Sequence, residues 1–418
     1  MLYHRVENLS EDFNMLAVSP QNFQDHMEYL SENYNIIRLD DVDTNEIYDQ
    51  EKDSVIITFD DGYYDWVCNA LPVLKKYHIP ATMFITTGNI GTDREFWTDS
   101  LHRTILASKN HKDFFHLESD YFDTQWSTRT LKERVELYQY LRRLFQISTL
   151  KEKEEYLQRL FRWSGCSESG RADRRSLTKE EIQILASEDG ISIGAHTITH
   201  PSLKWLTKEE QEYEISESKK YLEEATNKEI TLFSYPFGTG DDFTEVTVSI
   251  LREMGFEKAV AGYPGKVCPE SDLFKLPRYT IRNYSKEDFV NYIESIFGRD
   301  NEECSDKKAD VGKVSYMGSI ENDTQILKGE DDILVWGTGY CGEEIYNWLS
   351  RYQLKDKIIG FGDNDPSKIG THFKEYVVYG VEQLRNKKTP IILVKGKYAR
   401  EICKQLCDCK IGRVHWII

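Results

Sequence analysis

Over residues 1 to about 295, short apolar and β-branched runs alternate with helical ones, a rhythm that restricts this part of the chain to a β/α architecture. The run SVIITF (54–59) ends in Asp60-Asp61-Gly62, and ATMFITTG (81–88) follows the helical stretch NALPVLKKYHI. LTKEEIQILASEDG starts on a capping box, Thr178 to Glu181, and stops at Gly190 before the strand-like Ile191-Ser192-Ile193. A second box, Thr207 to Glu210, opens a long charged helix.

Two stretches break the rhythm. Residues 97–175 are rich in aromatic and charged side chains, with a helical run around 130–162, and read as an insertion between two core strands. Residues 298–330 are polar with little periodicity and read as a linker. Beyond it, DDILVWGTGYCGEEIYNWL, KIIGFGDNDPSKIG and TPIILVKGKYAREICKQL each place a turn or helix after a strand. The expected organisation is therefore a β/α domain at 1–297, a linker at 298–330, and a small doubly wound α/β domain at 331–418.

The charge balance narrows the partners. With 53 Lys+Arg against 71 Asp+Glu the formal net charge is −18, which disfavours nonspecific binding to nucleic acid or anionic lipid. A neutral or cationic substrate fits better. No stretch reaches the roughly 18–20 apolar residues of a membrane helix, and MLYHRVENLSEDF lacks a basic region followed by an apolar core, so a cytoplasmic location is expected.

Asp60 and Asp61 end a buried strand, where uncompensated carboxylates cost several kcal/mol each. A cation is expected beside them. The stretch GAHTITH (194–200) sets His196 and His200 four apart just beyond another strand. If the two strand ends are neighbours, Asp61, His196 and His200 supply one oxygen and two nitrogens, the open three-ligand set of a catalytic zinc-type site. Asp60 is then free to act as a base on an activated water.

TFDDG (58–62) followed by HTITH (196–200) resembles the polysaccharide deacetylases, the NodB-homology group or carbohydrate esterase family 4. A third motif of that family, R-x-P-[YF]-G, is similar to SYPFG (234–238), with Ser234 at the arginine position. The resemblance covers about residues 1–295 and implies a distorted (β/α) barrel with fewer than eight full units. It implies Asp60 as catalytic base and Asp61, His196 and His200 as holders of a divalent metal, with Zn²⁺ expected. It gives Tyr235 a backbone N–H for the developing oxyanion, with Pro236 and Gly238 shaping the turn. MLYHRV resembles the Y-H-x-V start of the subgroup that deacetylates poly-N-acetylglucosamine, which points to His4 as general acid. Arg278, in LPR, is expected to replace the missing arginine and orient Asp60. The implied reaction is hydrolysis of N-acetyl groups on an amino-sugar glycan of bacterial surface-polysaccharide assembly, releasing acetate. An amidase or O-deacetylase acting on a small or nucleotide-linked sugar uses the same residues, and a carbohydrate- or nucleotide-binding module keeps the same scaffold.

In the second domain VWGTGYCG (335–342) places Gly337, Gly339 and Gly342 in a G-x-G-x-x-G pattern after an apolar strand, and Asp363 ends the next strand. The unit resembles small Rossmann-like domains of surface-polysaccharide enzymes. That resemblance implies a nucleotide or nucleotide sugar as its ligand, or the docking of a partner, and the glycines equally meet the needs of a tight turn and helix–strand packing.

Overall fold

The computed structural model describes residues 1–42, 52–110, 112–118, 123–269, 271–297, 332–351, 353–384, 391–394, 402, 405–406 and 413–416. The linker expected at 298–330 lies outside the described residues. The chain forms two compact units. The first comprises Met1–His102, Phe145–Glu154 and Ser167–Lys307; the second comprises Arg103–Leu144, Glu155–Cys166 and Lys308–Ile418. The insertion therefore contributes residues to both.

In the first unit β1 (Leu2–Tyr3), β2 (Ile57–Phe59), β3 (Ala81–Ile85), β4 (Ile191–Ala195), β5 (Leu232–Ser234) and β6 (Lys258–Val260) lie side by side in chain order, every pair parallel. The extended segment 273–281 closes the row. Val260 bridges to Leu276 and Leu2 to Thr280, with the Ala259 N–H on Leu273 O (2.8 Å) and the Ile281 N–H on Leu2 O (2.9 Å). The result is a distorted β/α barrel of short strands. Tyr3, Phe59, Met83, Ala195 and Phe233 from the strands pack with Phe23, Leu74, Leu185, Ile215 and Leu251 from the surrounding helices. Parallel strands covered in this way read as nearly continuous apolar runs, as the sequence does.

Local chemistry sets the helix starts. α1 (Pro20–Asn33) begins on Ser19, whose hydroxyl accepts from the Asn22 N–H, with proline in the first turn. α2 (Leu71–Tyr77) crosses from β2 to β3. The helical run expected around 130–162 is two helices, α3 (Leu131–Ile147) and α4 (Leu150–Ser164). The break falls at Thr149, which caps α4 reciprocally with Glu152: Thr149 N–H to Glu152 Oε2 is 2.7 Å and Glu152 N–H to Thr149 Oγ1 is 3.4 Å. α5 (Lys179–Ser187) and α6 (Lys208–Thr226) both start on the capping boxes expected for them.

His26 on α1 is buried against the barrel. Its Nε2–H donates to Tyr284 O (2.9 Å), Nδ1 accepts from the Tyr3 hydroxyl (3.3 Å), and the ring stacks on Phe289 with centroids 3.8 Å apart. Acceptance at Nδ1 needs the neutral ring, and burial outweighs the Tyr284 bond and pushes the pKa down to about 4 from 6.5. The unfolded chain takes up this proton at higher pH than the folded one. The stabilisation is therefore complete above about pH 6.5 and is lost as pH falls through about 4. At roughly 1.36 kcal/mol per pH unit, the loss is about 3 kcal/mol. Urea unfolding should show wild type losing about 3 kcal/mol more than His26→Gln between pH 7 and pH 4; an equal decrease in the variant would contradict the assignment.

The second unit holds β7 (Ile333–Trp336), β8 (Ile358–Gly362), β9 (His372–Phe373), β10 (Tyr376–Tyr379), β11 (Ile391–Val394) and β12 (Arg413–Trp416) in the order β9-β10-β8-β7-β11-β12. Within this sheet, among the described residues, only the β9–β10 pairing is antiparallel. Gly337, Gly339 and Gly342 form the turn and first residues between β7 and the helix Tyr340–Arg351. A Cβ on Gly342 would stand 2.0 Å from Gly337 O, so this close approach of turn and helix requires glycine. Among the described residues, no helix is long and apolar enough to cross a membrane.

Candidate active site

The carboxyl ends of the barrel strands gather the chemistry-bearing residues, as expected of a β/α barrel. His4 follows β1, Asp60 and Asp61 follow β2, His196 follows β4, and Ser234 ends β5. Arg278 arrives on the closing segment.

Asp60 is buried and held from two sides. Arg278 makes a bidentate contact, Nη1 to Oδ1 at 2.8 Å and Nη2 to Oδ2 at 2.7 Å, and the Ser234 hydroxyl donates to Oδ2 at 2.9 Å. The guanidinium is itself fixed by Ala261 O (2.7 Å) and by the hydroxyls of Thr58 (3.0 Å) and Ser234 (2.9 Å). Burial would raise the Asp60 pKa, but Arg278 outweighs it and holds the carboxyl below its usual range. The expected orienting role of Arg278 thus has its geometry. Ser234, at the motif position where arginine was missing, joins the same cluster.

Asp61 Oδ1 lies 3.4 Å from His200 Nε2 and 3.7 Å from His196 Nε2, and one ligand atom from each residue falls within 4.8 Å of the others. His196 Nδ1–H donates to Ser234 O (2.7 Å), which fixes the tautomer and turns Nε2 toward Asp61. Burial disfavours a charged His196, yet Asp60 and Asp61 outweigh it and raise its pKa, the signature of a pocket that attracts positive charge. Burial pushes His200 down to about 3, leaving a neutral imidazole lone pair. One carboxylate oxygen and two imidazole nitrogens converging from oriented side chains fit a divalent cation.

The backbone here is unusual. Asp61 (φ 89°), Thr197 (φ 65°), His200 (φ 54°) and Phe237 (φ 61°) are all left-handed without being glycine, a clustering typical of sites where packing over-determines conformation.

His4 stands close enough for Asp61 and Asp60 to act on its charge, although burial dominates and lowers its pKa. Its backbone carbonyl accepts from Trp66 Nε1 (2.6 Å), and its Nδ1 is buried with no hydrogen-bond partner among the described residues. Trp66 is fully buried.

Tyr235 does not take the expected part. Its N–H is committed to the sheet, donating to Val260 O at 3.1 Å, and its buried hydroxyl donates to Phe274 O at 2.8 Å. The next amide beyond Pro236 belongs to Phe237, for which the described residues supply no acceptor, and the Phe237 ring lies 4.6 Å from His200. The signal was present in the motif: Phe237, not Tyr235, occupies its aromatic position, and a strand residue spends its amide on the ladder. Gly238 (φ 65°) completes the turn where a Cβ would stand 2.3 Å from Gly262 N.

A family model described as polysaccharide deacetylase matches residues 48–259. The chain belongs to the polysaccharide deacetylase family. It is thus a hydrolase of carbon–nitrogen bonds other than peptide bonds. The deacetylase is 25% identical over 300 residues to YxkH of Bacillus subtilis, a protein named for the same family, covering 71% of this chain and 76% of that one. It is 41% identical over 80 residues to the poly-β-1,6-N-acetyl-D-glucosamine N-deacetylase of Staphylococcus epidermidis, 19% of this chain and 25% of the relative. Among solved structures, Streptococcus pyogenes deacetylase PplD in complex with acetate is similar with a TM-score of 0.44 and 19% identity, over 70% of this chain and 95% of that one. A second family model, C2185-like N-terminal, matches residues 329–417 of the deacetylase.

In that second unit the Asp363 carboxylate is engaged within its own loop. Oδ2 accepts from the Thr338 N–H (3.1 Å) and hydroxyl, and Oδ1 from the Asp365 N–H (2.9 Å). Asp363 thus braces the Gly337–Gly339 turn.

Proposed function

We propose that this deacetylase removes N-acetyl groups from an amino-sugar polymer of the poly-β-1,6-N-acetylglucosamine class, using a divalent cation held by Asp61, His196 and His200. The observation that carries the reading is the convergence of those three ligand atoms beside Asp60, a buried carboxylate kept ionised by Arg278. The local likeness to the Staphylococcus epidermidis enzyme supports the substrate class. The nitrogen and oxygen donor set suits Zn²⁺.

A cation at this position lowers the pKa of water from about 15.7 toward about 7 and polarises an acyl oxygen. The chain supplies the remaining functions. Asp60 accepts the proton of the attacking water as its oxygen bonds to the acetyl carbon. The Phe237 N–H faces the developing oxyanion, a group for which fixed amide donors are effective. His4, charged by the proton that Asp60 has taken up, delivers it to the sugar nitrogen as the carbon–nitrogen bond breaks, releasing acetate and a free amine. For the second unit, the glycine turn at Gly337, Gly339 and Gly342 and the strand order support a nucleotide or nucleotide-sugar ligand.

Substrate choice is tested by measuring acetate from β-1,6-linked N-acetylglucosamine oligomers beside an O-acetylated sugar. We expect kcat/KM for the N-acetyl oligomer to exceed that for the ester by about tenfold or more, equivalent to about 1.4 kcal/mol of transition-state discrimination. The reverse order would assign the site to O-deacetylation.

A further inference from the structure

Thr199, the residue before the ligand His200, has its polar atoms claimed by two buried charged side chains from different helices. Glu214 on α6 accepts the Thr199 N–H at Oε2 (2.9 Å), the Thr199 hydroxyl at Oε1 (2.6 Å), and the Ile198 N–H at Oε2 (2.9 Å). Lys153 on α4 donates to Thr199 O (3.0 Å) and lies 3.3 Å from Thr199 Oγ1. Lys153 is 3% exposed and Glu214 4%. Burying an ammonium and a carboxylate costs several kcal/mol each unless hydrogen bonds compensate, and here both converge on Ile198–Thr199, the segment leading into His200.

His200 has a left-handed backbone (φ 54°), a conformation disfavoured for a side chain with a Cβ, and Thr197, immediately before Ile198–Thr199, is left-handed too. With Thr199 gripped at its amide, hydroxyl and carbonyl, the peptide leading into His200 cannot relax, and Nε2 stays turned toward Asp61.

We infer that Lys153 and Glu214 clamp Thr199 and thereby position His200 for the divalent cation, making the first turn of α4, part of the insertion, a working component of the site. Both are positioning residues. The inference rests on the reading of Asp61, His196 and His200 as cation ligands. Partners of this kind, one layer behind the ligands, typically account for 10- to 100-fold in metal affinity.

The test is Co²⁺ affinity of the full chain, measured by competition with a chromophoric chelator, for wild type and Lys153→Met. The clamp predicts binding about 10- to 100-fold weaker in the variant. Coulombic reasoning alone predicts the opposite sign, because the substitution removes a positive charge from the neighbourhood of a cation site. A purely structural role lowers the melting temperature and leaves the affinity unchanged. Unchanged or tighter binding in Lys153→Met, with Co²⁺ bound by wild type, overturns the clamp and leaves the metal site standing. Failure of wild type to bind Co²⁺ overturns the metal reading, and the clamp with it. Should Lys153→Met not fold, Thr199→Val is read in its place: it removes the shared hydroxyl but keeps the main-chain contacts, so severalfold weaker binding supports the clamp and wild-type affinity refutes it.

Discussion

Asp60→Asn is expected to lower kcat for acetate release by about 10²- to 10⁴-fold, the usual contribution of a general base. The asparagine keeps the size of the side chain but cannot accept the proton of the attacking water. Divalent cation binding should weaken but persist, because a negative charge 3.9 Å from His196 Nε2 is lost while the three converging ligand atoms come from Asp61, His196 and His200. One nitrogen of the new amide faces the donors of Arg278 and Ser234, so some stability is lost as well. The kcat comparison therefore belongs at a temperature below both unfolding transitions. A decrease of less than tenfold, with both proteins folded, would remove Asp60 from the role of base.

Arg278→Met carries the largest expected effect on stability. The guanidinium and the Asp60 carboxylate are 4% and 5% exposed, and removing one partner of such a pair typically costs about 3–5 kcal/mol because the other charge is left buried alone. Thr58, Ser234 and Ala261 lose a donor at the same time. The double variant Arg278→Met/Asp60→Leu removes both charges and should recover most of that stability while remaining inactive. Chemical unfolding of the three proteins checks this. If the double variant is as unstable as Arg278→Met, lost packing and not an unpaired carboxylate explains the cost.

What could be read from the sequence was what short stretches encode. TFDDG and HTITH put donors of the right chemistry at strand ends, and Thr178–Glu181 and Thr207–Glu210 marked helix starts through contacts three residues apart. Arg278 was a weaker inference, since 218 residues separate it from Asp60 and only closure of the barrel by 273–281 joins them. The amide expected of Tyr235 was not free because the reading took the first aromatic of SYPFG, a strand residue whose N–H the β5–β6 ladder already uses. Lys153 carried no local signal. It is one charged residue in a charged helix, and its burial arises from where α4 places its first turn.

The central claim is a cation-dependent N-deacetylase, and acetate release from β-1,6-linked N-acetylglucosamine oligomers tests it most directly when measured on untreated, chelator-stripped and metal-restored full chain. The account predicts release by the untreated protein, loss after stripping, and recovery with about one Zn²⁺ or Co²⁺ per chain, with no recovery in His200→Ala. Acetate release that survives stripping, or equal recovery in His200→Ala, would contradict it.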